Sequence, residues 1–144
     1  MATMKAISID PEYVLEIANG TKNEEYRKWS TSYRGDIIIC TLATSSTYGF
    51  ADLIAEIYDC EKQDGIYAFK LRNVKALKPF IVRGQQRIYN LAAPDDMTIY
   101  EPGEHMMVEE HVEFFKIVHK KPPAEEEIER FRAAIEAELS KIYS

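Results

Sequence analysis

The sequence predicts an α+β domain: a small, mostly antiparallel β-barrel with flanking helices and a helix at its C-terminal end. Two observations predict this class. Short apolar segments separated by turn residues fill residues 36–91, which is typical of strands. Apolar residues at helical spacing are clearest near the start, in residues 10–18, and in residues 122–144. A chain of 144 residues is most simply one domain, which we assign to residues 1–144.

The first 42 residues predict a strand, a helix and a second strand. Residues 5–9 alternate between faces and predict the first strand. Asp10 and Pro11 are typical of a helix start, and Gly20 of a helix end. Tyr13 falls on the apolar face of that helix. Residues 36–42 contain three consecutive isoleucines and predict a fully buried strand.

The middle of the chain predicts further strands. Residues 51–58 form one apolar segment, and residues 67–77 alternate after a turn at Gly65. Residues 80–82 and 88–91 lie on either side of a glycine and predict two short strands or a bend.

Residues 122–144 predict an amphipathic helix appended to the domain. Two consecutive prolines begin this segment and separate it from residues 104–120, which suit a helix slightly better than a strand. The apolar stripe of the C-terminal helix consists of Ile128, Phe131, Ile135, Leu139 and Ile142. We expect this stripe to pack on the sheet; the alternative is that it binds another protein.

Composition predicts a cytoplasmic protein. The chain has a net charge of −6, two cysteines, no visible secretory signal and no apolar run of about 18 residues. Two cysteines are too few for a disulfide scaffold or a four-cysteine zinc site. Neither a Walker A loop nor a G-x-G-x-x-G sequence is present. We expect no cofactor, no metal, no membrane contact and a monomeric chain.

Basic residues are concentrated in one part of this acidic chain. Residues 65–94 contain six bases and no acid, with aromatic residues between them. Such a segment predicts a local surface for anions, here a nucleic-acid backbone. The residues expected to contact that backbone are Lys70, Arg72, Lys75, Arg83 and Arg87. The alternative, equally weighted, is that these bases pair with the acidic C-terminal segment.

A second charged cluster follows the first helix, in residues 20–29. If the chain is extended there, Glu25, Arg27 and Trp29 share one face, while Lys22 lies on the preceding turn. A carboxylate, a guanidinium and an indole on one face can bind a nucleobase and its phosphate. The alternative from chemistry alone is a buried ion pair between Glu25 and Arg27, with Trp29 in the core.

The same cluster resembles the G-x-K-x-x-E-x-R motif of ASCH domains, which belong to the PUA-like superfamily. Gly20, Lys22, Glu25 and Arg27 occupy the four fixed positions. Residues 5–9, the Arg-Gly-Asp-Ile sequence at 34–37 and the segment 82–86 are similar to the family in the same order. The resemblance covers roughly residues 4–120.

The resemblance implies a barrel with a cleft that binds RNA or a nucleotide. Lys22, Glu25 and Arg27 would line that cleft, and Trp29 would stack on a base. Ser45 and Ser46, in a hydroxyl-rich loop after the buried strand, are further candidates for hydrogen bonds to the ligand.

The alternative to binding alone is hydrolysis. In the family that the chain resembles, at least one member is reported to cut RNA, and one branch hydrolyses acetylcytidine. In an enzyme, Lys22 and Glu25 would be the charge-stabilising and acid–base pair. The acetylcytidine branch is similar at Lys22 but has a threonine nucleophile at the position of Glu25, and a carboxylate does not replace an activated hydroxyl. The sequence therefore leaves a ribonuclease or an amidohydrolase as the second hypothesis, with protein interaction as the third.

Overall fold

A computed structural model describes residues 2–18, 20–42 and 48–99 of the chain. Ser45, Ser46 and the predicted C-terminal helix at 122–144 lie outside the described residues. The elements are β1 (Ala2–Ile9), α1 (Pro11–Ala18), β2 (Glu24–Arg27), β3 (Gly35–Leu42), β4 (Tyr48–Gln63), β5 (Ile66–Arg83) and β6 (Ile88–Ala93).

The six strands form one sheet in the order β2-β5-β4-β3-β1-β6. Among these strands only β1 and β3 run parallel, with Ile7 beside Ile39, and the other four pairings are antiparallel. A parallel pair needs a crossover connection, and the segment containing α1 and β2 supplies it. The sheet is therefore mostly antiparallel.

The predicted α+β barrel is wrong for the described part of the chain. The described residues are mostly strand with one short helix, and their sheet is open, with β2 and β6 as its two edges. The segments 67–77 and 80–82, expected as separate strands, belong to the single long strand β5. Fewer strands are therefore available, and β2, with four residues, is short for closing a barrel by backbone pairing. Of the predicted flanking helices, the described residues include α1 alone.

The two faces of the sheet are both apolar. One face carries Ile37, Ile39 and Phe69, and α1 covers it with Val14 and Ile17. The other face carries a second buried cluster. On the central strands its members are Ile38, Cys40, Ala51, Ile54, Leu77, Phe80 and Val82. A strand buried on both faces has a continuous apolar sequence, which explains the run of isoleucines in β3.

Bends in β4 and β5 curve the sheet. Their pairing shifts register between Ala51 and Leu53, between Ile54 and Glu56, and between Ile57 and Asp59. Each irregularity increases local twist and bends a strand. The curved sheet consequently brings its edge strand β2 near β1.

Backbone geometry sets the ends of α1. The Asp10 carbonyl accepts the N–H groups of Tyr13 and Val14, and the Lys22 N–H donates to the Glu16 carbonyl. Gly20 has a φ of 85°, which glycine adopts without a steric cost. In the described residues, no helix is long and apolar enough to cross a membrane.

Candidate functional site

Two elements position the charged motif: the turn after α1 and the edge strand β2. Gly20 and Lys22 lie in the turn, and Glu25 and Arg27 lie in β2 opposite Phe69 and Tyr67 of β5. Glu25 and Arg27 are two residues apart in a strand, so they point to the same face. That face is the one covered by α1, because Phe69 belongs to its core cluster.

Glu25 is the centre of the motif and is only 6% exposed. Its Oε2 accepts a hydrogen bond from Nη2 of Arg27 at 2.9 Å. Its Oε1 accepts the main-chain N–H of Tyr26 at 3.2 Å and lies 3.6 Å from Nζ of Lys22. An ionised carboxylate suits these three partners, since each brings a donor. Glu25 is thus arranged to hold cations in place.

Arg27 connects two strands that are not neighbours in the sheet. Its Nη2 also donates to the main-chain carbonyl of Ser8 in β1, at 2.9 Å. Between β2 and β1 the sheet contains β5, β4 and β3. The curved sheet nevertheless brings β2 and β1 close enough for this hydrogen bond, and we call the place where these two strands face each other the seam. The Arg27 side chain remains 24% exposed, so it bridges the seam and still faces solvent.

Trp29 lies at the same seam, just beyond β2. Its ring packs edge-on against Phe69, with centroids 5.1 Å apart and planes at 66°. The guanidinium carbon of Arg87, in the turn before β6, lies 5.1 Å from the indole centroid, and that of Arg27 lies 6.0 Å from it. Arg87 was predicted as part of the basic segment, apart from the motif. The fold brings the two together at Trp29.

Lys22 is surrounded by two tyrosines. Its Nζ lies 4.5 Å from the ring centroid of Tyr13 in α1 and 5.1 Å from that of Tyr26 in β2. The rings are 41% and 49% exposed, whereas the Lys22 side chain is 15% exposed. The sequence placed Tyr13 on the apolar face of the helix with Val14 and Ile17; in the structure its side chain is exposed and lies against Lys22.

Two of the other residues predicted to contact a nucleic-acid backbone, Lys70 and Arg72, pair with acidic side chains of the protein itself. Lys70 pairs with Glu61 at 3.2 Å, and Arg72 makes two 3.0 Å hydrogen bonds to Glu56. The hydrogen bond from Arg72 lowers the pKa of Glu56, and the one to Glu61 raises the pKa of Lys70. In the described residues these two bases pair with acids of the neighbouring strand β4. The acidic C-terminal segment, which the sequence offered as their alternative partner, lies outside the described residues.

The remaining basic candidates and the cavities do not extend the motif. Lys75 lines a cavity of about 410 Å³ together with Asp36 and Asn73. Arg83 ends β5, opposite the first residue of β4. A second cavity, of about 450 Å³, has Lys5 and Tyr33 in its wall. We place the candidate site at the motif because the cations and the indole converge there. The described residues contain no group of acidic, histidine or cysteine side chains suited to a metal ion.

Sequence reasoning missed three members of this site: Ser8, Tyr13 and Tyr26. Ser8 contributes only a main-chain carbonyl, which no sequence pattern marks. Tyr13 and Tyr26 are thirteen positions apart in different elements, and no sequence pattern relates them. Their shared contact with Lys22 is visible only in the structure.

Comparison with protein families agrees with the resemblance of residues 20–27 and their surroundings to ASCH domains. A model of the ASCH domain family matches residues 7–102 of the 144 residues. The chain therefore belongs to the ASCH domain family, which is generally thought to bind RNA. No curated protein matches the chain.

Proposed function

We propose that the chain binds single-stranded RNA, or a nucleotide derived from it, at the seam between β2 and β1. One observation carries the proposal: Arg87, from the basic segment, lies over Trp29 beside the motif residue Arg27. Lys22 and Arg27 both pair with the buried carboxylate of Glu25, and Arg87 joins them through the Trp29 ring. These four charged residues carry three positive charges and one negative charge, although the chain as a whole is acidic.

The described contacts suggest a division of roles. Glu25 holds Arg27 in one orientation by a charge-assisted hydrogen bond, which is stronger than a neutral one. Arg27 has five donors, and those not used by Glu25 and Ser8 are available for phosphate oxygens. Lys22 serves as a second, compact charge for phosphate.

Stacking in this site involves a guanidinium as well as an indole. The sequence suggested that Trp29 stacks directly on a base, but Arg87 lies over its ring. A guanidinium plane is itself a surface on which unpaired bases stack. We therefore assign base stacking to the Trp29–Arg87 pair as a unit.

The contacts of Glu25 favour binding over hydrolysis. An acid–base catalyst must exchange a proton with the substrate, and both oxygens of Glu25 already accept hydrogen bonds within the protein. Lys22, the other residue of the hydrolase hypothesis, lies 3.6 Å from the same carboxylate.

Trp29 offers a direct test because it is the single tryptophan of the chain. Titrating the protein with a short single-stranded RNA at low salt should change the tryptophan emission saturably, with the same midpoint as the anisotropy of the labelled RNA. Arg87→Gln should weaken binding, whereas Arg72→Gln, a cation already paired with Glu56, should not. The proposal would be contradicted if titration of the wild-type protein changed neither its tryptophan emission nor the anisotropy of the labelled RNA.

A further inference from the structure

Two exposed tyrosines beside the motif have no role in the fold core. Tyr13 and Tyr26 come from different elements, α1 and β2, and their rings lie on the same ammonium group, that of Lys22. The described part of the chain has five exposed large hydrophobic side chains, and these two of them contact the same lysine. Tyr58 is the third aromatic of that set and lies on β4, two strands from β2.

We propose that Tyr13 and Tyr26 form a stacking surface for unpaired bases beside Lys22, and that this surface makes the site selective for single-stranded over duplex RNA. The inference rests on the proposed function, since it concerns the ligand of the same site. It adds two residues outside the motif and a reason for strand selectivity.

The geometry suits adjacent nucleotides of one strand. Both rings lie within about 5 Å of one atom, so their centres are less than about 10 Å apart. Stacked bases in one strand are about 3.4 Å apart, and bases splayed onto side chains are farther apart. Two successive bases can therefore reach the two rings while the phosphate between them approaches Lys22.

The chemistry distinguishes single strands from duplexes. Every base has a π-face, so aromatic stacking contributes about 1–3 kcal/mol per base without selecting a sequence. In a duplex those faces are already covered by neighbouring bases, and only phosphates and groove edges can contact the protein. A duplex would therefore use Lys22, Arg27 and Arg87 but not the tyrosines.

A purely internal role for the rings predicts a different result. In that case Tyr13 and Tyr26 would only shield the ion pair of Lys22 and Glu25 from water. Replacing the rings would then lower the melting temperature and leave the affinity for RNA unchanged. Binding and melting measurements on the same variants separate the two roles.

The experiment compares three variants with the wild-type protein, using a single-stranded RNA of about eight nucleotides, within the usual site size. The double variant Tyr13→Leu/Tyr26→Leu should bind at least tenfold more weakly. The double variant Tyr13→Phe/Tyr26→Phe retains both rings and should bind within twofold of wild type. Tyr58→Leu is the matched control, since Tyr58 is an equally exposed ring on a cation, Arg72, and it should also bind within twofold.

Two further probes, measured on the wild-type protein, keep the inference testable if the leucine variant does not fold. An abasic oligonucleotide of the same length keeps the phosphates and removes the bases, and a blunt duplex covers the base faces. Both should bind at least tenfold more weakly than the single strand. Wild-type affinity in a folded leucine variant would overturn the inference while leaving the proposed function intact. Equal binding of either probe would overturn the inference together with the base stacking assigned to Trp29 and Arg87, and would leave only the phosphate contacts of the proposed function. No binding of any single strand by the wild-type protein would overturn both.

Discussion

The Nη2 atom of Arg27 donates a 2.9 Å hydrogen bond to the main-chain carbonyl of Ser8, although three strands separate β2 from β1 in the sheet. A side chain thus connects two strands that have no backbone pairing with each other. The same guanidinium is held by Glu25, which is buried. Arg27 consequently links the curvature of the sheet to the charge arrangement of the candidate site.

Removing this link should destabilise the protein. Arg27→Ala removes the hydrogen bond that joins β2 to the Ser8 carbonyl of β1 and leaves Glu25 with the more distant Lys22 as its cationic partner. We expect a loss of about 1.5–3 kcal/mol, the range for hydrogen bonds to charged groups. Urea unfolding followed by Trp29 fluorescence measures it. Arg34→Ala is the matched control: it removes an exposed pair with Asp59 and hydrogen bonds to nearby carbonyls, but no buried partner, and it should cost less than Arg27→Ala. Equal midpoints for the two variants would contradict the role of Arg27.

Lys22 and Glu25 should differ in what their replacement costs. Lys22→Met keeps an unbranched chain between Tyr13 and Tyr26, and Glu25 retains Arg27 as its partner. We therefore expect Lys22→Met to lower stability by less than about 1 kcal/mol. It should weaken single-stranded RNA binding about tenfold, the effect of one lost charge-assisted hydrogen bond.

Glu25→Gln should lower stability more than Lys22→Met does, and it should also weaken RNA binding because Arg27 loses the partner that orients it. The amide cannot compensate the charge of Arg27, so we expect a loss of about 1.5–3 kcal/mol in the free energy of unfolding. Thermal melting and RNA titration of both variants provide the measurement, with Lys28→Met as a control for an exposed lysine in the same segment. A larger loss of stability for Lys22→Met than for Glu25→Gln would mean that the lysine is mainly a structural partner of the carboxylate.

The salt dependence of binding should identify which cations contact phosphate. For single strands, log affinity falls with log salt by about 0.7 per neutralised phosphate. Arg87→Gln should therefore reduce the slope by about 0.7. Lys70→Gln should leave it unchanged, because Lys70 is already paired with Glu61. Titrations between low and moderate salt measure both slopes. A slope reduced by Lys70→Gln but not by Arg87→Gln would mean that RNA contacts β5 near Lys70 and not the site at Trp29.

The two cysteines should react differently with thiol reagents. Cys40 is fully buried between strands, and burial raises the pKa of its thiol to about 12. The reactive thiolate is therefore scarce at Cys40 near pH 8. Cys60 is only half-buried. We expect one reactive thiol per native chain and two in denaturant, counted with a chromogenic disulfide reagent. Cys60→Ser should remove the native reaction, and fast labelling of that variant would show that Cys40 is accessible.

Local features were predictable from the sequence, and long-range ones were not. The first helix and the turn at Gly65 depend on residues that are close in the chain, and both occur as expected. The shared face of Glu25 and Arg27 follows from the period of a strand. The position of Arg87 over Trp29 depends on β6 pairing with β1 and on the bend of the sheet, neither of which leaves a local pattern. The barrel prediction failed for the same reason, because β5 continues through segments that look separate in the sequence.

The strand order also determines when, during synthesis, the site can be completed. The strands β4 and β5 are consecutive and can pair as soon as both have left the ribosome, since closing a short loop costs little entropy. The strand β1, in contrast, obtains one of its two partners only when β6 emerges more than 80 residues later. Arg87 directly precedes β6, so its contact with Trp29 can form only after most of the described residues have been synthesised. A nascent chain that ends before residue 87 therefore has Lys22 and Arg27 but lacks the third cation of the site, and it should reach its full affinity for RNA only after Arg87 has been added.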